Sequence, residues 1–390
     1  MITCQMQLEV SGLMYIPSSS IRDILAAATS LCTSPNDIFT IFFADTDVPD
    51  IEELQKELTS AGIRFMGGIS PGLIVGTTLR DSGALLRRYT CAAGPFVVPD
   101  YVTEDIPRGI IQDMEMPSAG KSATVMMYFP GPGSSSHFLR QIYGMFGNGV
   151  TYIGSGMGYE DGIRRPCVFS NEVFSDSMAV FAVLSADCTV SARHGFIPIS
   201  DPMISTATDQ NCVLEINWKN PRDEFFTAIE EEGQREYPDK TPEEYIAYYP
   251  IVLETDFPES VCRAVLQIAP DGSLVCGSDV PENAVFRVAK YSYASLLEAA
   301  SFAADTATAD LQERPAFLFL IDCISRKWIT GEKYHCELEA VEQVISHKSA
   351  DIQMEGILSL GEISSMGTGM LECLNFTCVV GRFYEGESGD

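Results

Sequence analysis

A pattern of apolar strand, polar loop, amphipathic helix and second strand occurs three times along the chain. The first strands of the three copies are IFTIFF at 38–43, TVMMYF at 124–129 and AFLFLI at 316–321. Strand–helix–strand units of this length usually form a parallel pair with a right-handed crossover. The pattern therefore predicts a mixed α/β fold of two related halves, built from such units, with sheets flanked by helices.

The helix of each copy is marked by apolar residues at helical spacing. In the first copy Ile51, Leu54 and Leu58 lie on one face, and Asp50 precedes them as a capping residue. The corresponding residues of the other copies are Phe138, Leu139, Ile142, Tyr143 and Phe146, then Leu338, Val341, Val344 and Ile345.

The second strand of each copy is followed by small residues, which predict turns at 67–72, 154–158 and 359–362. Carboxyl ends of parallel strands open on one edge of a sheet, where α/β folds place ligands. The loop after each first strand opens on that edge too. We therefore expect Arg326 and Glu362 to share one mouth.

A polar, acidic stretch at 220–245 separates the second copy from the third. Such a change in composition is typical of linkers and surface segments. We place the domain boundary just before it, which gives domains 1–217 and 218–390.

The charge of the chain argues against two classes of partner. There are 54 acidic and 25 basic residues, for a net charge of -29. This field repels nucleic-acid phosphates and anionic lipids. No apolar run reaches the ~18 residues of a membrane span, and no signal peptide is evident. We expect an acidic, cytoplasmic protein.

Twelve cysteines are scattered through the chain without a CxxC or a paired Cys/His spacing. This distribution is typical of reduced thiols in a cytoplasmic protein, not of a disulfide framework or a zinc site. His335, Cys336 and Glu337 are adjacent at a predicted helix start, where their side chains diverge, so no metal site is expected there.

Two glycine-rich motifs resemble catalytic or cofactor loops. Residues 68–72, GISPG, match a GxSxG nucleophile elbow, which needs a following helix, yet the next residues favour an extended chain. Residues 154–158, GSGMG, are a partial dinucleotide fingerprint that also lacks its helix. We interpret both as turns and do not expect a conventional enzyme, although an uncharacterised enzyme stays an alternative.

Polar residues near the third copy are the main ligand candidates. The guanidinium of Arg326 suits a bidentate clamp on a carboxylate, and Glu362 would accept from an ammonium group. Together they match a zwitterion, with a structural ion pair as the alternative. Cys323 is either a reactive thiolate near Arg326 or a buried thiol. His194 is either a satisfied loop histidine or an axial haem ligand.

Several segments in order resemble the FIST family, which consists of a FIST N and a FIST C domain. They are the turns at 67–72 and 154–158, HGFIPI (194–199) with Thr206, DGSLVCGSDVPENAVFRV (271–288), Cys323 with Arg326, Gly361 with Glu362, and Asn375-Phe376-Thr377.

The resemblance implies a sensory domain that binds small ligands such as amino acids and is joined to, or encoded beside, signalling proteins. Some members are similar to haem-binding nitric-oxide sensors, which makes haem on His194 the alternative cofactor; no other cofactor is expected. The chain carries no recognisable F-box, kinase or receiver segment, so its signalling partner is expected to be separate. The expected ligand-binding residues are Arg326, Glu362, Gly361, Cys323, Ser155, Gly154, Gly156, Gly68, Ser70 and His194.

Overall fold

The computed structural model describes residues 12–112, 122–231, 246–255, 260–311, 316–348, 352–366 and 370–384. The helices of these residues are α1 (Ile21–Leu31), α2 (Ile51–Ser60), α3 (Arg108–Gln112), α4 (Ser136–Phe146), α5 (Pro221–Glu231), α6 (Tyr293–Ala307), α7 (Ile324–Thr330) and α8 (His335–Lys348). None of the helices described is long and apolar enough to cross a membrane.

The strands of the first half are β1 (Leu13–Ile16), β2 (Asp37–Ala44), β3 (Arg64–Ser70), β4 (Leu73–Val75), β5 (Thr78–Arg80), β6 (Ala84–Val98), β7 (Thr124–Pro130), β8 (Thr151–Met157), β9 (Val168–Ser170), β10 (Phe174–Ser175), β11 (Ala179–Leu184) and β12 (Cys188–Arg193). Those that follow are β13 (Ile197–Pro198), β14 (Met203–Asp209), β15 (Cys212–Ile216), β16 (Ile251–Leu253), β17 (Val261–Arg263), β18 (Val265–Ile268), β19 (Leu274–Cys276), β20 (Val285–Lys290), β21 (Ala316–Cys323), β22 (Gln353–Ser359), β23 (Glu362–Met366), β24 (Met370–Leu374) and β25 (Cys378–Tyr384).

All three predicted strand–helix–strand copies are confirmed as parallel pairs: β2 with β3, β7 with β8, and β21 with β22. Each pair is followed by a short hairpin and a strand that returns antiparallel to the first strand of its copy. We call these repeats unit 1 (β2–β6), unit 2 (β7–β11) and unit 3 (β21–β25). The mixed α/β class is confirmed. The fold contains three related units, whereas the sequence predicted two related halves.

The three units exchange strands in a cycle. The hairpin strand β4 of unit 1 pairs with β22 of unit 3, β9 of unit 2 pairs with β3 of unit 1, and β23 of unit 3 pairs with β8 of unit 2. Each unit thus completes the sheet of another. Because units 1 and 2 lie in one half of the sequence and unit 3 in the other, the two halves are interlocked by backbone hydrogen bonds.

A glycine occupies the same register position in the second strand of every unit: Gly67, Gly154 and Gly356. A Cβ atom at these positions would lie 1.7, 2.2 and 2.0 Å from a carbonyl oxygen of the first strand. No side chain fits at such distances. The predicted turns at 67–72 and 154–158 are therefore corrected in part: Gly68, Gly154, Ser155 and Gly156 lie inside strands, where small residues allow close approach of the backbones.

The helices follow their predicted patterns. Asp50 caps α2 by accepting a hydrogen bond from the backbone N–H of Glu53, and Ile51, Leu54 and Leu58 are buried. In unit 3 the segment expected to be a loop is helical from Ile324 onward, because it contains no helix-breaking residue before Gly331.

The inner faces of the units pack on a shared aromatic core. Phe42 of β2 lies with its ring centroid 5.2 Å from Tyr128 of β7 and 5.7 Å from Phe319 of β21. The ring of Phe42 in unit 1 thus contacts one ring from the first strand of each other unit.

Strands β13–β20 form a separate eight-stranded antiparallel sheet between units 2 and 3. Strands on both sides of residue 217 belong to this sheet, since β15 pairs with β14 and with β19. The domain boundary predicted between residues 217 and 218 falls between β15, a strand of this sheet, and α5.

Candidate functional site

The carboxyl ends of the three parallel pairs meet at the centre of the molecule. The backbone N–H groups of Ile69, Gly156 and Leu358 donate to the carbonyls of Cys167, Gly361 and Gly72 at 2.8, 2.7 and 2.9 Å. These equivalent bonds tie each unit to the next. The predicted convergence of the strand ends is therefore present, and the ends are closely packed.

Ser70 shows how the GxSxG segment is used. Its hydroxyl lies 2.7 Å from the carbonyl oxygens of both Gly72 and Leu358, and the side chain is fully buried. The next element is β4, an extended strand, as the sequence indicated. This geometry joins units 1 and 3 and does not present a nucleophile.

The second glycine motif is equally structural. Ser155 is buried in β8 and pairs in register with Glu362 of β23, while Gly154 pairs with Ile363. The residues after β8 lead to strand β9 without a helix that could face a phosphate. The segment holds β23 of unit 3 against unit 2.

Arg326 is fully buried in the first turn of α7. Among the described residues its ion-pair partners are Glu337, 2.6 Å from Nε, and Asp322, 3.3 Å from Nε. Its remaining donors reach the backbone carbonyls of His194, Leu296 and Phe376 at 2.7–3.0 Å. All three guanidinium nitrogens thus have protein acceptors.

Burial shifts the pKa values of the two carboxylates that contact Arg326. Burial raises the pKa of Asp322 well above its ordinary value and raises that of Glu337, although Arg326 opposes both shifts. The Tyr334 hydroxyl donates to Asp322 at 2.6 Å. We call Asp322, Arg326, Tyr334 and Glu337 the buried cluster.

Glu362 is also fully buried, and its partners differ from those expected. Its carboxylate accepts from the hydroxyl of Ser359 and from the backbone N–H of Thr377. Burial raises the pKa of Glu362 to about 8, against these hydrogen bonds, which lower it. The expectation of an open mouth shared by Arg326 and Glu362 is corrected, because both side chains are enclosed by protein atoms.

Cys323 lies beside Glu362 in this interior. Burial raises the pKa of the Cys323 thiol well above its ordinary value. A neutral buried thiol is a weak nucleophile, so the geometry favours the structural interpretation of this cysteine.

Both ring nitrogens of His194 are engaged. The backbone N–H of Phe196 donates to Nδ1 at 2.9 Å, so Nε2 carries the proton and donates to the Ser260 hydroxyl at 3.0 Å. Burial, together with the charges of Arg326 and Arg193, lowers the pKa of His194 to about 4. An axial haem ligand needs a free lone pair, so this arrangement does not fit a haem iron.

An open cleft of about 1010 Å³ lies elsewhere on the carboxyl edge, between units 1 and 3. Asp45 reaches it from the loop after β2, Glu160 from the segment after β8, and Lys327 from α7. The β4–β5 hairpin contributes Arg80, and α8 contributes Glu342. Asp45 and Lys327 thus reach the cleft from the carboxyl ends of their strands, whereas residues 352–354 line it at the amino end of β22.

The rim of the cleft carries a hydrogen-bonded group that we call the cleft triad: Asp45, Glu160 and Lys327. Lys327 Nζ lies 3.0 and 2.9 Å from the two carboxylate oxygens of Glu160. The backbone N–H of Glu160 donates to Asp45 at 2.7 Å. Trp328, half exposed, donates its indole N–H to Glu160 at 3.1 Å.

The charges of Glu160 and Lys327 act in opposite directions on the pKa of Asp45. Partial burial raises the pKa of Asp45, and the charge of Glu160 adds to this, while the Glu160 N–H and Lys327 oppose it. Lys327 is 27% exposed and Glu160 42%, so both heads face solvent. The site therefore offers anionic and cationic groups together to an incoming molecule.

Sequence reasoning selected Arg326 and missed its neighbour Lys327. The available signal was positional, because Asp45 follows β2 directly and Glu160 is the third residue after β8. Arg326 and Lys327 are neighbours on the short helix α7. Which of the two side chains faces the cleft depends on how α7 packs, and the local sequence does not specify that packing.

Comparison with protein families gives two matches along the chain. The FIST N domain matches residues 38–219, and the FIST C domain matches residues 228–365. No curated protein matches the chain. FIST domains are described as sensory, signal-transduction domains that bind small ligands. With a FIST N match followed by a FIST C match, the chain belongs to the FIST domain family.

Proposed function

We propose that this protein is a sensory module that binds a small zwitterionic metabolite, such as an amino acid, in the cleft between units 1 and 3. The observation that carries the proposal is the cleft triad, an amphoteric group on the rim of an open cavity of about 1010 Å³.

The chemistry of the lining supports this ligand class. The carboxylates of Asp45 and Glu160 accept hydrogen bonds from an ammonium group, and Lys327 and Arg80 donate to a carboxylate. Tyr15 adds an aromatic surface beside Arg80, whose guanidinium carbon lies 5.6 Å from the ring centroid. Small-molecule sites commonly combine a few convergent polar groups with apolar walls of this kind.

The position of the cleft suits a sensor. Asp45, Arg80 and Glu160 lie in the segment that matches FIST N, whereas Lys327 and Glu342 lie in the segment that matches FIST C. A ligand that contacts both groups stabilises one arrangement of the two segments over others, and such differential binding is what a ligand-driven signal requires.

The output is proposed to pass to a separate signalling protein, and the setting is proposed to be the cytoplasm. The free thiols of the described cysteines support a reducing compartment. We do not extend the proposal to haem, because the hydrogen bonds of His194 occupy both ring nitrogens.

The test is a thermal-shift screen of the purified 390-residue chain against the standard amino acids and related zwitterions. A ligand at about 100 times its Kd adds ~2.7 kcal/mol of stability, which gives a clear increase in Tm. Fluorescence provides a second measurement, because the chain has two tryptophans and Trp328 contacts the cleft triad. In a Trp218→Phe background, ligand binding should change the emission of Trp328.

Lys327→Met should remove the ligand-induced shift. Lys348→Met is a matched control, because Lys348 is also 27% exposed and pairs with a carboxylate at 2.7 Å, but outside the cleft. A shift that survives Lys327→Met, or one that Lys348→Met removes equally, would place the ligand elsewhere. No shift with any zwitterion would overturn this ligand class.

A further inference from the structure

We propose that His335, Cys336 and Glu339, on the first two turns of α8, form a binding site for a thiophilic divalent cation such as Zn²⁺. This surface trio lies outside the cleft lining. The inference does not depend on the ligand proposed above.

The potential ligand atoms of the trio converge. One imidazole nitrogen, the thiol sulfur and a carboxylate oxygen all lie within 4.8 Å of one another. Cys336 Sγ is 3.4 Å from His335 Nε2. Two ligands of a tetrahedral zinc ion, at about 2.3 Å for sulfur and about 2.0 Å for nitrogen, are separated by roughly 3.5 Å. The pair therefore has nearly the spacing that one zinc ion requires.

The tautomer of His335 is fixed by a second contact. Its Nδ1 lies 2.8 Å from the backbone carbonyl oxygen of Glu332. A carbonyl only accepts, so Nδ1 carries the proton and the lone pair is on Nε2, the nitrogen that faces the thiol. A ligating histidine in proteins almost always donates its other N–H in this way, which orients the ring towards the metal.

Glu339 follows His335 by four residues, so both lie on the same side of the helix. The sequence analysis expected the side chains of His335, Cys336 and Glu337 to diverge; the carboxylate of Glu337 does point away, inward to Arg326, whereas that of Glu339 lies near His335 and Cys336. The hydroxyl of nearby Tyr293 donates to the backbone carbonyl of Lys333 at 3.1 Å. Thiolate and imidazole ligands favour Zn²⁺ over Mg²⁺ or Ca²⁺, and three protein ligands leave a fourth position for water.

Binding at this site displaces the thiol proton, since the metal ligand is the thiolate. The site lies on α8. Glu342, one turn beyond Glu339 on the same helix, lines the cleft. A metal on the first turns of α8 would therefore order the same helix that lines the cleft.

The experiment is a competition titration of the reduced 390-residue chain with Zn²⁺ and a chromophoric chelator. The expected result is one zinc ion per chain, with affinity lowered about tenfold or more in Cys336→Ser and in His335→Gln. Glu339→Gln should weaken binding less, because its amide oxygen can still ligate. Co²⁺ added to the unsubstituted protein should produce a thiolate-to-cobalt charge-transfer band.

The matched controls are Cys212→Ser, at another partly exposed cysteine, and His347→Gln, at an exposed histidine near the end of α8. Both should bind Zn²⁺ as the unsubstituted protein does. Equal affinity in Cys336→Ser, a loss of affinity in Cys212→Ser instead, or a Co²⁺ spectrum without the thiolate band would each overturn the site. The Co²⁺ measurement needs no variant, so it does not depend on how the substitutions affect folding.

Discussion

Arg326 and Lys327 are adjacent residues with opposite surroundings. The guanidinium of Arg326 has no exposed surface, and its nitrogens are bound by carboxylates and carbonyls of the protein. The ammonium of Lys327 is 27% exposed and meets Glu160 on the rim of an open cleft. Neighbouring positions on a helix differ by about a hundred degrees in direction, which is enough to separate an interior from a cavity.

The surroundings of Arg326 and Lys327 represent two uses of charge at the carboxyl edge of the units. In the buried cluster, the desolvation of each ion is offset only by its protein partners, and each guanidinium nitrogen of Arg326 is bound to a protein acceptor. In the cleft triad, water shares the solvation of Lys327 and Glu160, and a ligand can replace that water. The first arrangement joins α7 and α8 of unit 3 to the backbone at His194 and Leu296, and the second is available for binding.

Substitution of Arg326 should have the largest effect. Arg326→Met leaves Asp322 and Glu337 buried without their cation and should lower the free energy of unfolding by about 3–5 kcal/mol. The loss should be smaller at acidic pH, because both carboxyls already have raised pKa values and protonate readily once the cation is gone. Urea denaturation at several pH values measures both effects.

Lys327→Met, one residue away, is the control for that experiment. If Arg326→Met retains its stability but loses the ligand-induced increase in Tm, Arg326 binds the ligand. The contrast between a structural Arg326 and a ligand-binding Lys327 would then be wrong. If the variant is too unstable to purify, Arg326→Lys, which keeps the charge without the planar fork, should give a smaller loss that can be measured.

Glu362 predicts a specific pH dependence. Its pKa is about 8 in the folded protein against an ordinary value of 4.5, so the folded state binds the additional proton between these values. Folding is therefore favoured by this group below pH 4.5, and the contribution is lost as pH rises towards 8. One proton gives a slope of at most about 1.4 kcal/mol per pH unit.

Glu362→Gln should remove that slope. The amide oxygen can still accept from Thr377, and the variant should gain stability relative to the parent as pH rises through the window. Asp322 and Glu337 titrate in both proteins, so the difference between the two curves isolates residue 362. Parallel curves from pH 4 to pH 9 would show that the pKa of Glu362 is the same in the folded and the unfolded state.

The sequence predicted most of the fold, because hydrophobic periodicity and capping residues are local signals. The three parallel pairs and the start of α2 at Ile51 are confirmed. The cyclic exchange of β4, β9 and β23 was not predicted, since strands of three to five residues carry almost no pattern and their partners lie in other units.

The candidate site was predicted less well, for a related reason. Sequence reasoning placed the site at the carboxyl ends of the strands and selected Arg326 and Glu362, whose chemistry suits a ligand as much as an interior. Burial decides between those two uses, and burial depends on tertiary packing. The ligand-binding role of the residues selected from the sequence stays a prediction, and the geometry favours Asp45, Glu160 and Lys327.

The smallest expected effect concerns the coupling of Lys327 with Glu160. A double-mutant cycle of Lys327→Met and Glu160→Gln should give about 0.2–1 kcal/mol of interaction free energy, because both side chains are partly exposed. The coupling should fall as salt is added, since mobile ions screen exposed charges. Glutamine at 160 keeps an oxygen for the Trp328 indole N–H, so the cycle isolates the ionic part. A coupling above about 2 kcal/mol that does not respond to salt would make this pair as structural as the buried cluster, and Lys327→Met would then no longer separate ligand binding from folding.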